Sequence, residues 1–110
     1  MTFFLLSRCK LFYKKGKEFA DKGLGMLHLK RIEDKVQMVV RAETNLGNIL
    51  LNIIINKSMN FTRRANNVQF SCVPNPAIKD VEPGRPVIML AKVKNADIAT
   101  ILEEEINKLI

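Results

Sequence analysis

Most of this chain carries the residue patterns of β-strands, and this feature does most to restrict its fold. Successive side chains of a strand point to opposite faces of a sheet, so alternating apolar and polar residues predict a strand with one buried face. Alternating or continuous apolar segments of strand length lie at residues 8–13, 26–31, 36–42, 49–55, 68–73 and 87–94. Gly16 predicts a turn, Gly23-Leu24-Gly25 predicts a break or a bulge, and residues 56–67 predict a polar loop.

The period changes at Asn95, beyond which apolar residues recur at helical spacing. Ile98, Leu102, Ile106 and Leu109 form one stripe, and asparagine is a favourable residue at a helix N-terminus. A small β-barrel or sandwich has an open end that one apolar-faced helix can cover. We therefore predict a mostly β fold of pleckstrin-homology-like architecture, with six or seven antiparallel strands capped by a C-terminal α-helix. The predicted core contains Leu27, Leu29, Val36, Met38, Val40, Val87, Met89, Val93, Ile98 and Leu102.

The positive charge of the chain is concentrated in its predicted β-sheet body. The formal net charge is +7, and residues 1–94 hold 17 of the 18 lysines and arginines but 7 of the 11 acids. The body therefore carries +10, and residues 95–110 carry −3. A surface of this sign favours an acidic partner, and a nucleic acid, an anionic membrane surface and an acidic protein segment all qualify.

The residues that usually carry catalysis or bind metal are sparse. His28, the one histidine, falls on the polar face of a predicted strand, and no cysteine and histidine have the spacing of a zinc site. Cys9 and Cys72 lie among apolar residues and are expected to be buried thiols, although a disulfide stays open at this point. We therefore predict a domain that is not an enzyme and that needs no metal or cofactor. The apolar start is too short for a secretory signal, and no segment approaches the length of a membrane span.

Several strings of residues resemble the Ran-binding domain family. The segment KLFYKK at 10–15 resembles that family's opening strand, and FADKGLG at 19–25 is similar to its Trp-Lys-Glu-Arg-Gly-x-Gly segment. Residues 26–30 follow as its next strand does, and residues 40–52 resemble the stretch that ends at the family's Asn-His. The sequence resembles a nuclear-pore branch of the family more closely still, notably at residues 44–52, 66–68, 72–76 and 86–90.

The resemblance implies a binding module for the small GTPase Ran in its GTP form. In that family the acidic C-terminal tail of Ran wraps around the Ran-binding domain, and the positive body matches such a tail. It further implies a nuclear protein of the nuclear pore complex, whose other parts bind importin-type transport factors. The resemblance also implies that the cysteines are reduced and that the protein does not insert into a membrane. Ran is then a more favoured partner than nucleic acid. We expect the domain at residues 8–110, after an extension of unknown role at residues 1–7.

The resemblance also implies the residues of the site. The expected Ran-binding residues are Lys10, Lys14, Lys15, Phe19, Asp21, Lys22, Arg41 and Asn52. The chain departs from the family pattern at several of its positions, with Phe19 for tryptophan, Ala20 for lysine and Lys22 for arginine. Lysine cannot reproduce the two-pronged hydrogen bonding of arginine. Ala42 and Ile53 also replace polar residues of the family, so we predict weaker binding than in the family's tightest members.

Two other functions fit the same sequence. A basic pleckstrin-homology-like domain can bind anionic lipid or nucleic acid, and binding would then follow charge and salt alone. Alternatively, the domain could be a structural protein-docking domain that has lost its Ran contacts. Selectivity for the GTP form of Ran distinguishes the first prediction from both.

Overall fold

The strands of this protein form one antiparallel sheet. The computed structural model describes residues 2–44 and 46–110, with side chains from residue 7 onward. Within these residues the strands are β1 (Thr2–Lys15), β2 (Glu18–Ile32), β3 (Lys35–Ala42), β4 (Ile49–Ile55), β5 (Thr62–Arg64), β6 (Asn67–Cys72) and β7 (Val87–Lys92). The strand order is β4-β3-β2-β1-β7-β6-β5, and every neighbouring pair is antiparallel. The predicted mostly β fold is confirmed.

One α-helix, α1 (Ala96–Leu109), follows the last strand and packs against β1, β5 and β6. The side-chain oxygen of Asn95 accepts a hydrogen bond from the backbone N–H of Ile98 at 2.9 Å, so Asn95 caps the helix as predicted. The helix buries Ala99, Leu102 and Ile106 against the sheet. The stripe of apolar residues thus does cover the sheet, as its spacing indicated.

The core lies between the inner face of the curved sheet and the helix. Eight of the ten predicted core residues are buried, and Val87 and Ile98 are half-buried at the edge of the same cluster. The inner face of β1 contributes Cys9, Leu11 and Tyr13, which alternate with exposed or half-buried residues of the outer face. One sheet therefore presents a buried inner face and an accessible outer face, and Lys10, Lys14, Arg41 and Lys92 lie on the outer one.

One segment differs from the sequence-based expectation. The predicted polar loop at 56–67 contains a short 3-10 turn, Lys57–Met59, and the strand β5, which pairs with β6. Its residue Phe61 is buried and stacks on Phe70 with ring centroids 4.9 Å apart, which anchors this segment to the core. The backbone of residues 2–7, within the predicted extension of unknown role, continues β1 and pairs with β2.

Candidate functional site

The β1–β2 hairpin brings four of the expected site residues to the outer face of the sheet. Lys14 lies opposite Phe19, and Phe12 lies opposite Asp21. Directly opposite residues of an antiparallel pair share one face, so Lys14, Phe19 and Asp21 are neighbours. Lys10 lies on the same face, two residues before Phe12 on β1. These side chains therefore form one continuous surface.

Lys10 lies at the centre of this surface and contacts both strands of the hairpin. Its Nζ lies 3.3 Å from Oδ2 of Asp21 and 5.6 Å from the centroid of the Phe12 ring. On its other side, Lys10 is directly opposite Lys92 of β7. A cation over an aromatic ring gains electrostatic attraction, and the ring also limits its hydration. The site thus combines cations with aromatic surface.

Lys22 is the extra residue of a β-bulge. Leu11 pairs with Gly23 and Phe12 with Asp21, which leaves Lys22 without an opposite residue on β1. Gly23 adopts a φ of 141°, a conformation that side chains disfavour. The bulge that Gly23-Leu24-Gly25 predicted is therefore present, but β2 continues through it. The half-buried Lys22 is displaced from the regular alternation of its strand.

Gly25 fixes the distance between β2 and β3 beside the bulge. A Cβ atom at this position would lie 2.5 Å from the backbone oxygen of Arg41, closer than any normal contact. The residue must therefore be glycine for β3 to approach. This close approach positions Arg41, which explains physically why the second glycine of the motif is needed.

Arg41 and Arg8 flank the same residue on the outer face. Met26 of β2 pairs with Arg8 of β1 on one side and with Arg41 of β3 on the other. Arg41 donates from Nη1 to the backbone oxygen of Gly47 at 3.1 Å, and Arg8 forms a 2.7 Å ion pair with Glu43. Two arginines thus extend the basic surface from the hairpin to β3.

Lys15 lies apart from the others, at the turn of the hairpin. Its Nζ contacts Oδ2 of Asp80 at 3.0 Å, and the hydroxyl of Tyr13 donates to the same oxygen at 3.2 Å. The hydrogen bond from Lys15 holds the pKa of Asp80 below its usual value, and Asp80 in turn raises the pKa of Lys15. The ion pair between Lys15 and Asp80 therefore joins the loop after β6 to the hairpin.

Asn52 joins the edge strand β4 to the segment after β6. Its Oδ1 accepts a 2.7 Å hydrogen bond from Nε2 of Gln37. Its backbone N–H donates to the oxygen of Asn75 at 2.6 Å, and Nδ2 of Asn75 donates back to the oxygen of Asn52 at 3.0 Å. The Asn75–Pro76 peptide bond is cis. These contacts tie the two ends of the open sheet together.

Three basic residues of the surface were not among the expected site residues. Arg8 belongs to β1, Lys92 ends β7, and Lys94 follows it, all with exposed side chains. The alternation of residues 87–94 already indicated that Lys92 and Lys94 face solvent. The pairing of β1 with β7 could not be predicted from this alternation, because the two strands lie near opposite ends of the sequence.

Both cysteines of the chain lie in the interior of the domain. Burial raises the pKa of the Cys9 thiol to about 12 and that of Cys72 to about 11, so both stay protonated and unreactive near neutral pH. They lie on different strands as buried free thiols. Among the described residues no cluster of acids, histidine and cysteines could hold a metal ion. Within the same residues, no helix has the length and apolar content to cross a membrane.

Comparison with known proteins identifies the family. The RanBP1 domain profile matches residues 2–109. The nuclear pore complex protein Nup50 of Rattus norvegicus is 49% identical over 109 residues, and its Homo sapiens counterpart is likewise 49% identical. Each match covers 97% of this chain but 22% of the relative. The chain thus spans about a fifth of these relatives' length.

Solved structures share the fold. The Ran-binding domain of the nuclear complex component Nup2 from Ashbya gossypii superposes with a TM-score of 0.81 at 20% identity, covering 98% of this chain and 93% of that one. The sequence prediction of a Ran-binding domain close to a nuclear-pore branch is therefore confirmed. This chain belongs to the RanBP1 domain family.

Proposed function

We propose that this domain binds the small GTPase Ran in its GTP form by attracting Ran's acidic C-terminal tail to the outer face of the sheet. The observation that carries the proposal is the concentration of cations on that face. Lys10, Lys14 and Arg41, together with Arg8 and Lys92, lie on three strands of the sheet, β1, β3 and β7. Family membership supports Ran as the partner.

Within this surface we assign different roles to the expected residues. Lys10, Lys14, Lys22 and Arg41 supply positive charge to the tail, and Phe19, 39% exposed, supplies apolar contact area. Asp21 orients Lys10 through their ion pair. Lys15 and Asn52 serve the site differently, because their hydrogen bonds hold the surrounding loops and β4 in place.

Selection of the GTP form follows from the nucleotide state of Ran. A binding module shifts a two-state partner only as far as its affinities for the two states differ. A tail that is free in one nucleotide state and held against Ran's own body in the other would give that difference. The domain would then recognise GTP-bound Ran without contacting the nucleotide.

The cellular setting of the proposal is the nuclear pore complex. The mammalian relatives carry that complex in their names, and their identity to this chain extends over nearly all of it. We propose that the whole protein acts there in nucleocytoplasmic transport, and that its other parts meet importin-type transport factors.

Charge reversal at Lys22 tests the proposal. Lys22→Glu should weaken binding to GTP-loaded Ran by about three- to tenfold and flatten its dependence on salt, because encounter of charged surfaces follows ionic strength. Lys57→Glu is the matched control: it makes the same charge change at an exposed position in the 3-10 turn after β4. Equal losses in the two variants would mean that net charge alone drives binding, as for a general polyanion-binding domain. Thermal unfolding of both variants checks that the fold is retained.

A further inference from the structure

A cleft of about 600 Å³ lies at the opening of the curved sheet, between the edge strand β4, the 3-10 turn that follows it, and the end of β6. Its volume falls within the roughly 300–1,000 Å³ typical of ligand clefts. None of the described residues that line it is a lysine, arginine, histidine, aspartate or glutamate. The chain as a whole carries a net charge of +7. The cleft therefore differs from the basic outer face and favours an uncharged ligand.

The outer edge of β4 presents backbone groups to this cleft. Because Asn52 exchanges hydrogen bonds with Asn75 through its backbone N–H and C=O, these two groups of Asn52 point away from β3. Alternate residues of an antiparallel strand direct these groups to the same side, so those of Ile54 also point to the outer edge. β4 ends the strand order, and within the part of the chain that the structure describes no strand pairs with this edge. Ile54 therefore offers a backbone donor and a backbone acceptor to a ligand in the cleft.

The opposite wall of the cleft also extends beyond its neighbouring strand. The pairing of β5 with β6 reaches as far as Gln69. Ser71 and Cys72 lie past that point and line the cleft. Val73 follows them and is 45% exposed, as is Ile54 on the other wall, although both are large apolar residues. The cleft is therefore a gap in the sheet with an exposed apolar side chain on each side.

We propose that this cleft binds an extended, uncharged segment of a partner protein, which adds to the outer edge of β4 as a further strand. The backbone of the segment pairs with Ile54 and continues the pairing that Asn75 makes with Asn52. One aliphatic side chain of the segment covers Ile54 and Val73. Such strand addition gains affinity from main-chain hydrogen bonds and specificity from the contacts of alternate side chains. A charged residue would be disfavoured here, because it would lose water and meet no counter-ion in the described walls.

The cleft lies apart from the cations of the proposed Ran site. Ile54 is opposite Gln37 of β3, whereas Arg41 lies four residues further along the same strand. That separation is about 13 Å in an extended strand. The inference therefore goes beyond the proposed function, and it can succeed or fail independently of Ran binding.

A short fluorescent peptide of alternating serine and valine tests the cleft, because it is uncharged and presents its valines on one side of an extended chain. We expect this peptide to bind the domain, and Ile54→Ser to weaken its binding about three- to tenfold, since the variant removes an apolar contact. Ile101→Ser is the matched control: it makes the same change at a 52% exposed isoleucine of α1, outside the cleft, and should leave binding nearly unchanged. Thermal unfolding of both variants checks that the fold is retained.

Amide hydrogen exchange, followed by NMR, tests the main-chain pairing directly. In the free domain the N–H of Ile54 should exchange rapidly with solvent, and saturation with the peptide should slow this exchange about tenfold or more. The N–H of Ile53 points to β3, where Ile53 is opposite Met38, so it should exchange slowly with and without peptide. Exchange of the Ile54 N–H that the peptide does not change would overturn the addition of a strand to β4.

Three further results would overturn the inference. Peptide binding should be the same at low and high salt, so a strong dependence on salt would assign the peptide to the basic face instead. Equal effects of Ile54→Ser and Ile101→Ser, or no binding at about 1 mM peptide, would show that the cleft does not bind such a segment. Dimerisation of the free domain that Ile54→Ser abolishes would assign the edge of β4 to a second copy of this chain.

Discussion

Lys10 of β1 lies directly opposite Lys92 of β7, and both side chains point to the outer face of the sheet. Two like charges at directly opposite positions destabilise a strand pair. Two unlike charges at such positions stabilise it by about 0.2–1 kcal/mol. Asp21 offsets part of this repulsion from the other side of Lys10. The outer face therefore concentrates positive charge here at a small cost in stability.

This relationship predicts opposite effects on stability and binding. Lys92→Gln should raise the free energy of unfolding by up to about 1 kcal/mol at low salt, because it removes the repulsion, and should weaken binding to GTP-loaded Ran. The gain should shrink as salt screens the charges. Urea unfolding at low and high salt measures it. A loss of stability in Lys92→Gln at low salt would contradict the assignment of repulsion.

The helix can be tested through two neighbouring residues that differ in burial. Leu102 is 1% exposed and Ile101 is 52% exposed. Leu102→Ala should lower the free energy of unfolding by about 2–5 kcal/mol, since it leaves a cavity between α1 and the sheet. Ile101→Ala should change it by no more than about 0.5 kcal/mol. Chemical denaturation of both variants measures this difference. Equal midpoints would contradict the packing of the helix against the core.

The side-chain hydrogen bond between Gln37 of β3 and Asn52 of β4 predicts that substitutions at these two residues have coupled effects on stability. Asn52→Ala and Gln37→Ala should each cost about 1 kcal/mol, because each removes one partner of the same 2.7 Å hydrogen bond. The double variant should cost less than the two losses combined. Urea unfolding of the four proteins gives the coupling. Additive losses would mean that the hydrogen bond does not stabilise the fold.

The single histidine predicts a dependence of stability on pH. Burial lowers the pKa of His28, and the charges of Lys30 and Arg41 lower it further. The unfolded chain therefore binds a proton more readily than the folded domain, so stability falls as the pH drops from the unfolded value, about 6.5, toward the lower folded one. In His28→Gln this part of the loss should be absent. The imidazole resonances, followed by NMR, should titrate below the unfolded value; a pKa at or above it would contradict the prediction.

The fold could be predicted from the sequence largely because the alternation of residues reports burial directly. Leu27 and Leu29 on β2, and Leu102 on α1, are buried where the pattern placed them. The strand β5 was missed because it is three exposed polar residues held by pairing with β6 and by the buried neighbour Phe61. Propensity alone carries no signal for so short a strand.

The site was harder to predict because it depends on which strands are neighbours. The glycines at 23 and 25 signalled the bulge beside Lys22, and the family resemblance pointed to Arg41. Lys92 and Lys94 join the site only because β7 pairs with β1, a long-range contact that no local pattern specifies. Likewise, Asn52 forms hydrogen bonds with Gln37 and Asn75. Neither partner could be predicted from the residues that flank Asn52 in the sequence.

The most direct test of the proposed function compares three forms of Ran on the same immobilised domain: GTP-loaded, GDP-loaded, and GTP-loaded without the acidic tail. We expect the intact GTP form to bind most tightly, and loss of the tail to remove most of its advantage, because the basic outer face would then lack its ligand. The affinity should be modest, given Phe19, Ala20 and Lys22 at the positions of the family's motif. Equal binding of all three forms would contradict the account, because the basic face would then not read the tail.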